Sequence, residues 1–261
     1  LAGSDFVEVA GGRIEYRWYG RPVSGADEPV VVLLHEGLGC VDLWRDFPDR
    51  LAAALDLRVL AYSRYGYGRS APCRLPRPIS YMHDEGRTVL PELLSALKIG
   101  PHLLVGHSDG GSIALAYAAL AARPGLVGVV TMAAHIFAET VSIESIARAR
   151  EAYERGSLRA ALARHHGDNV DCAFRGWADA WLSGAFDAWS LVDLLPRIEA
   201  PCLVIQGEGD EYGTEKQVDG IARGVAGPVE TLMLPDCGHS PHRDRPEAVL
   251  PAIRRFSASL A

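Results

Sequence analysis

Cysteine is scarce in this chain and never arranged as CxxC: Cys40, Cys73, Cys172, Cys202 and Cys237 are spread over 261 residues. An odd number of widely spaced cysteines makes no disulfide framework and reads as reduced thiols in a cytoplasmic protein. Cys237, two positions before His239, is a candidate pocket thiol, whereas Cys202 lies in a strand-like run and reads as core. Positive charge is short as well. Lys and Arg number 26 against 33 Asp and Glu, and the resulting net charge of −7 repels nucleic acid and anionic membrane as main partners. No apolar run approaches the roughly 18 residues of a spanning helix. The opening LAGSDFVEVAGG has neither the basic start nor the apolar centre of a signal peptide, and the start at Leu1 rather than methionine leaves room for a trimmed earlier segment. Internal repeats and low-complexity stretches are absent, and no GxGxxG turn follows a strand-like run, so a nucleotide cofactor is not expected.

What is present is an alternation. Short apolar runs at residues 30–34, 58–62, 102–105, 126–132, 202–206 and 229–234 read as buried strands, and the helical patterns at 42–55, 81–97, 113–122, 214–225 and 246–260 fall between or after them. Two further strand-like runs, 6–10 and 13–18, meet at Gly11-Gly12 as a hairpin, and residues 22–29 form a polar loop. Strands alternating with helices predict a mostly parallel sheet with helices on both faces and the hairpin at one edge. The rhythm breaks over residues 135–196, which read as short helices (143–153, 157–165, a segment around Trp177 and Trp181, and 186–195) without a convincing strand. Ligands of open sheets sit beyond the carboxyl ends of the strands, where the glycine-rich exits of this chain fall.

One of those exits is distinctive. Residues 102–113, HLLVGHSDGGSI, join an apolar run to a helix former through Gly106-His107-Ser108-Asp109-Gly110, the pattern G-x-S-x-G. Only nearly side-chain-free flanks let the backbone reverse within a residue or two, lifting a hydroxyl clear of the sheet beside the amides of a helix N-terminus. A serine hydroxyl becomes a nucleophile once an adjacent base takes its proton and a third group orients that base. Two later loops offer these groups: QGEGDE, with Glu208, Asp210 and Glu211, and PDCGHSPH, with His239 and His242. Serine, then acid, then histidine is the chain order expected after such a turn.

LLHEGLG, SRYGYGRS, GHSDGG, QGEGDEYG and CGHSPH, in this order and spacing, resemble the α/β-hydrolase-fold serine hydrolases of the single-domain bacterial type with a helical lid. The resemblance covers nearly the whole chain. It implies a mostly parallel twisted sheet with helices on both faces, a core formed by residues 1–134 and 197–261, and a small helical cap over residues 135–196. It further implies Ser108 as nucleophile, His239 as base and then acid, and Asp210, three residues beyond Gly207, as the orienting acid in preference to Glu208 or Glu211. His242 follows Pro241 and lacks a preceding glycine, which ranks it below His239. Of the oxyanion donors, one is the amide of Asp109. Many relatives read His-Gly-X where this chain reads His35-Glu36-Gly37-Leu38, so counting from His35 makes Gly37 the second donor, with Leu38 as the fallback. Glu36 stands where glycine is usual, either fixing that loop or facing the substrate.

Relatives that attack alkyl carbon carry aspartate at the turn; serine implies acyl chemistry. The expected activity is therefore cofactor-free, metal-free hydrolysis of a small carboxylic ester or lactone through an acyl-enzyme. Carbon–carbon bond hydrolysis, lyase or acyl-transfer chemistry with the same three residues is the alternative, and a ligand receptor on this scaffold with negligible turnover is a third. A small molecule is the expected partner, with a homo-oligomer left open. Trp177 and Trp181, four apart on one helical face, are candidates for the pocket wall as well as for packing, together with Glu36 and Leu38. His35 and His107 read as packed histidines, Tyr65 and Tyr67 as parts of a structural turn, and His165, His166 and Asp168 as surface polar residues without a metal.

Overall fold

A computed structural model describes residues 3–22, 25, 27–121 and 124–260. Strands β1 (Asp5–Val9) and β2 (Gly12–Tyr19) form the opening hairpin, with Phe6 opposite Glu15. They are followed by β3 (Val30–Leu34), β4 (Val59–Ser63), β5 (His102–His107), β6 (Leu126–Met132), β7 (Cys202–Gly207) and β8 (Val229–Leu234). The sheet runs β1-β2-β4-β3-β5-β6-β7-β8, antiparallel at β1–β2 and β2–β4 and parallel from β4 onward. This is the mostly parallel sheet with a hairpin edge that the alternation predicted.

Why the central strands are apolar throughout follows from their two covered faces. Val32, Leu34 and Leu104 pack on the side of α2 (Tyr81–Asp84), α3 (Leu90–Ala96), α4 (Asp109–Leu120) and α8 (Glu215–Gly224). Val31, Leu33, Leu103 and Val105 pack on the side of α1 (Phe47–Leu55) and α10 (Pro246–Ala258). Helix α4 is buried from Asp109 to Ala119, which is why it shows no polar face and reads as a continuous alanine-rich run.

Three helices differ from their sequence patterns for local reasons. The pattern over 42–55 is split: Val41–Trp44 forms a 3₁₀ turn, Arg45 turns the chain left-handed (φ 54°), and α1 starts at Phe47 with Pro48 in its first turn. The helix expected over 186–195 is replaced by 3₁₀ turns at Gly184–Ala188 and Val192–Arg197, because Ser190 between them pairs with Phe137 and Pro196, inside the second, lacks the N–H an α-helix would need there. Helix α4 begins earlier than its alanine run, at Asp109; the expected end of that helix at Ala122 lies outside the described residues, as do positions 23, 24 and 26 of the expected 22–29 loop.

Residues 135–196 hold α5 (Thr140–Glu154), α6 (Ser157–His166) and α7 (Val170–Trp181) and no strand beyond the Phe137–Ser190 bridge. That bridge, with Leu191 N–H donating to the Ile136 carbonyl at 2.8 Å, brings the two ends of the segment together beside the sheet. Its interior is aromatic: Trp181 and Phe186 have ring centroids 4.4 Å apart, and Phe186 stacks on Trp189 at 5.2 Å. Among the described residues no helix is long and apolar enough to cross a membrane.

Candidate active site

Ser108 sits between β5 and α4 with φ 53° and ψ −120°, a left-handed conformation unusual for a non-glycine residue and costing about 1–3 kcal/mol. The flanking glycines are obligatory here. A Cβ on Gly106 would collide with the Gly110 main chain, and a Cβ on Gly110 would collide with the Leu34 carbonyl at the end of β3. The turn is further tied by Ser108 N–H donating to the Met132 carbonyl at 2.8 Å, while the Ser112 hydroxyl donates to the His135 carbonyl at 2.7 Å. Strain at Ser108 is thus held by two neighbouring strand ends.

The loops after β7 and β8 meet this turn. His239 Nε2 lies 2.9 Å from Ser108 Oγ, and His239 Nδ1 lies 2.8 Å from Asp210 Oδ1. Asp210 Oδ1 also accepts from the amides of Tyr212 at 2.8 Å and Gly213 at 3.3 Å. Burial opposes ionisation of this carboxyl, but the bonds from His239 and from the Tyr212 amide outweigh it and hold it below the usual range. Of the neighbouring acids, Glu211 accepts from the His239 backbone amide at 3.2 Å, while Glu208 is exposed; neither is the acid at the ring. His242, in the short helix α9 (Pro241–Asp244), is buried against Trp44 and Phe47, with ring centroids 5.1 Å from each and 4.8 Å from His107, whereas it is His239 that meets Ser108 Oγ.

The loop after β3 is held from below. His35 is fully buried, its Nδ1 donating to the Glu36 carbonyl at 2.7 Å and its Nε2 accepting the Arg64 amide at 3.1 Å. The Arg64 guanidinium, 1% exposed, donates to the carbonyls of His35 (2.7 Å) and Glu36 (3.0 Å) and stands 3.8 Å from Asp109 Oδ2. Asp109 in turn accepts the Tyr81 hydroxyl at 2.6 Å, and Tyr81 accepts Trp181 Nε1–H at 3.0 Å. One buried cation therefore links the loop carrying Gly37 to the first residue of α4. The Asp109 amide is among the N-terminal amides of that helix that have no intrahelical acceptor.

Glu36 occupies two positions that the sequence had kept apart. It borders the cavity beside Ser108, and its Oε2 stands 3.6 Å from His107 Nδ1. Burial would raise its pKa, yet His107 and His35 lower it strongly on balance. His107 continues the link with Nε2 2.6 Å from the His239 carbonyl, tying the β3 loop to the His239 loop.

The cavity itself encloses about 180 Å³ and is lined by Glu36, Gly37, Leu38, Trp177, Trp181 and, beyond these, His135, Ser142, Ile146 and Tyr212 around Ser108, Asp109 and His239. Trp177 lies so close over Gly37 that any side chain there would strike its indole, which gives Gly37 a steric reason the sequence did not disclose. His135, Ser142 and Tyr212 carry no motif. They meet because the His135 Nε2–H and the Ser142 hydroxyl both donate to the Tyr212 carbonyl, His135 at 3.1 Å and Ser142 at 2.5 Å.

Two expectations are corrected. His166 is not a surface residue: it is 2% exposed, its Nδ1 accepting the Gly68 amide at 2.9 Å and its Nε2 donating to the Leu38 carbonyl at 3.0 Å. It braces the β3 loop against the Tyr67 turn, whereas His165 is partly exposed and Asp168 exposed. Cys237 is not a pocket thiol, since it is buried among the α10-side core residues and absent from the cavity wall. Tyr67 is buried under His35, ring centroids 4.9 Å apart, and the Tyr65 hydroxyl donates to the Gly12 carbonyl at 3.1 Å.

The model of a family described as the alpha/beta hydrolase family matches residues 31–252. Human serine hydrolase BPHL is 28% identical over 194 residues, an alignment covering 70% of this chain and 64% of that protein, so the chain spans less than two thirds of the relative's length. The solved enol-lactonase of Burkholderia xenovorans LB400 superposes with a TM-score of 0.72 at 24% identity, covering 97% of this chain and all (100%) of that one. A thermophilic esterase from Thermogutta terrifontis superposes with a TM-score of 0.68 at 22% identity over 99% of both chains. At these identities the two solved structures speak to the fold alone.

Proposed function

Because the chain belongs to the alpha/beta hydrolase family, we propose that it is a serine hydrolase cleaving a small carboxylic ester or lactone through an acyl-enzyme intermediate. The observation that carries this reading is the unbroken relay from Asp210 through His239 to Ser108, opening on the small cavity. Ser108 Oγ attacks the carbonyl carbon as His239 Nε2 takes its proton, and Asp210 holds the ring and the imidazolium that forms. The amides of Asp109 and Gly37 receive the oxyanion, each such donor being worth about 3–4 kcal/mol. Collapse expels the alcohol, which leaves with the proton from His239. Water then attacks the acyl carbon with the same base, and Ser108 is released.

Cavity size supports a short acyl group or small ring: about 180 Å³ falls below the roughly 300–1,000 Å³ of pockets for drug-sized ligands. Residues 135–196 serve as the cap, with Trp177, Trp181, Ser142 and Ile146 shaping the acyl wall and the segment screening the intermediate from bulk water.

The test is a panel of p-nitrophenyl esters of increasing chain length together with simple lactones and a ring-cleavage dienone, run beside labelling by a fluorophosphonate probe. Turnover confined to short esters or lactones, with the probe on Ser108, is expected. Selective turnover of the dienone would replace the reading with carbon–carbon hydrolysis. A protein inert to the whole panel and unlabelled would end it.

A further inference from the structure

Outside the cavity, one pair of nucleophilic side chains has no part in the chemistry above. Cys73, in the loop of residues 71–80, and Cys172, in the first turns of α7, are separated by 99 positions in sequence, yet their sulfurs stand 2.7 Å apart. Glycines make room for the encounter. A Cβ on Gly66 would run into both sulfurs, and Gly176, one turn beyond Cys172, leaves space for the Arg77 side chain. Arg77 Nε lies 3.3 Å from Cys73 Sγ while its guanidinium also donates to the Tyr65 carbonyl. The Cys73 amide donates to Cys172 Sγ at 3.3 Å. Both cysteines are partly exposed.

The other three cysteines provide the contrast. Cys40, Cys202 and Cys237 are buried, and burial pushes their thiols up to about 12, 12 and 11. Cys73 goes the other way: the Cys172 thiol donates to it and Arg77 faces it, which outweighs its burial and lowers it to about 6, while Cys172 is raised as the partner that keeps the proton. An accessible thiolate beside a cation, with a second thiol in reach, is the arrangement that exchanges with disulfides.

We propose that Cys73 and Cys172 form a reversible dithiol–disulfide site that tethers α7 to the 71–80 loop in the presence of a low-molecular-weight disulfide such as glutathione disulfide. The Cys73 thiolate attacks one sulfur of that reagent, forming a mixed disulfide and expelling one glutathione thiolate, which takes up a proton. Cys172 then loses its proton, and its sulfur attacks Cys73 Sγ, forming the internal bond and expelling the second glutathione. Counted from the Cys73 thiolate, the protein loses two electrons and the Cys172 proton, solvent supplies the second proton, and one glutathione disulfide becomes two thiols. The tether matters because α7 also carries Trp177 and Trp181 into the cavity, so the bond would anchor the helix that forms one wall of the pocket. The inference does not depend on the reaction proposed for Ser108.

The full chain, reduced and desalted, is treated with glutathione disulfide and followed by intact mass, peptide mapping and thermal unfolding. The expected product is lighter by about 2 Da, with a Cys73–Cys172 cross-linked peptide reversed by dithiothreitol. Its Tm rises by about 5 °C or more, because the bridge closes a long loop in the unfolded chain. Cys172→Ser and Cys73→Ser should each remove the mass loss and the shift, while Cys237→Ser keeps both. An unchanged mass, a stable glutathione adduct on Cys73 in the wild type, or a bridge to Cys40, Cys202 or Cys237 would overturn the proposal. These outcomes are read on the wild-type chain, so a variant that fails to fold does not obscure them.

Discussion

The strand ends and the helical segment over residues 135–196 both border one cavity, but they fix their side chains by different means. At the strand ends, position comes from main chain pressed on main chain: Gly106 against Gly110, Gly110 against the Leu34 carbonyl, and Ser108 locked left-handed between them. In the helical segment, position comes from side-chain packing. Trp181 is held by Phe186 and by the Tyr81 hydroxyl, and Trp177 by its contact with Gly37. Main-chain contact tolerates almost no adjustment, whereas packed aromatic side chains repack at moderate cost. Reactivity should therefore fail outright when the first region is altered, and selectivity should shift by degrees when the second is.

The largest effect expected is that of Ser108→Ala. Ester turnover should fall by about 10⁴-fold or more while the far-UV spectrum and Tm stay native, since a small hydroxyl is removed without disturbing the glycine contacts. Asp210→Asn should follow closely, by about 10⁴-fold, through loss of the His239 tautomer. Retention of substantial turnover by Ser108→Ala would break the comparison at its first term, because the strand-end region would then not be where the reaction occurs.

That asymmetry also explains what could be read from the sequence. Gly106, Gly110 and Ser108 are legible because steric necessity leaves only one residue type at each glycine and a fixed spacing between them. The parallel sheet is legible because a strand covered on both faces, as Val30–Leu34 is, must be apolar at every position. Arg64, Tyr81, His135 and Tyr212 were not legible as site residues, because an arginine that binds two carbonyls across 28 or 29 positions leaves no periodicity. His166 reads as exposed in the sequence for the same reason: its partners, Gly68 and Leu38, lie 98 and 128 positions away, and its helix shows no local sign of them. The 186–195 segment reads as helix in the sequence, yet its apolar residues serve an aromatic stack rather than one helical face.

An intermediate effect belongs to the cavity wall. Trp177→Leu enlarges the space over Gly37 without touching Ser108, His239 or Asp210. The ratio of kcat/KM for a longer to a shorter acyl ester should rise by about 10–100-fold, the range set by a methylene or two in an apolar pocket. A steady-state comparison of acetyl and hexanoyl esters measures it. A fall in both by the same factor, with the ratio unchanged, would mean that α7 supports the strand-end region rather than selecting the acyl group.

The smallest effect separates the regions by their charges. Glu15 of β2 is 2% exposed and accepts from the Arg69 amide and Nε at 2.8 Å each and from the Ser63 hydroxyl at 2.9 Å. Burial raises its pKa, but these bonds more than offset it, so the folded value lies below the unfolded one. The ionised group consequently stabilises the fold fully above the unfolded carboxylate range, near ~4.3, and that contribution is lost as pH falls through the folded value. Asp171 of α7 is also lowered, to about 2, by Arg159 and then by the Tyr153 hydroxyl, but the ion pair is roughly half exposed, with side chains 48% and 47% accessible. Water and salt screen that pair, so its depressed pKa carries little stability. Glu15→Gln should lower Tm by about 3 °C or more at pH 7, converging on the wild type in acid, while Asp171→Asn should move it by no more than about a degree at either pH. Thermal melts from pH 7 to pH 3 in constant salt decide it. A larger neutral-pH loss for Asp171→Asn would show that the helical segment, like the strand ends, depends on individually fixed polar contacts, and the distinction between the two regions would then rest on the glycine turn alone.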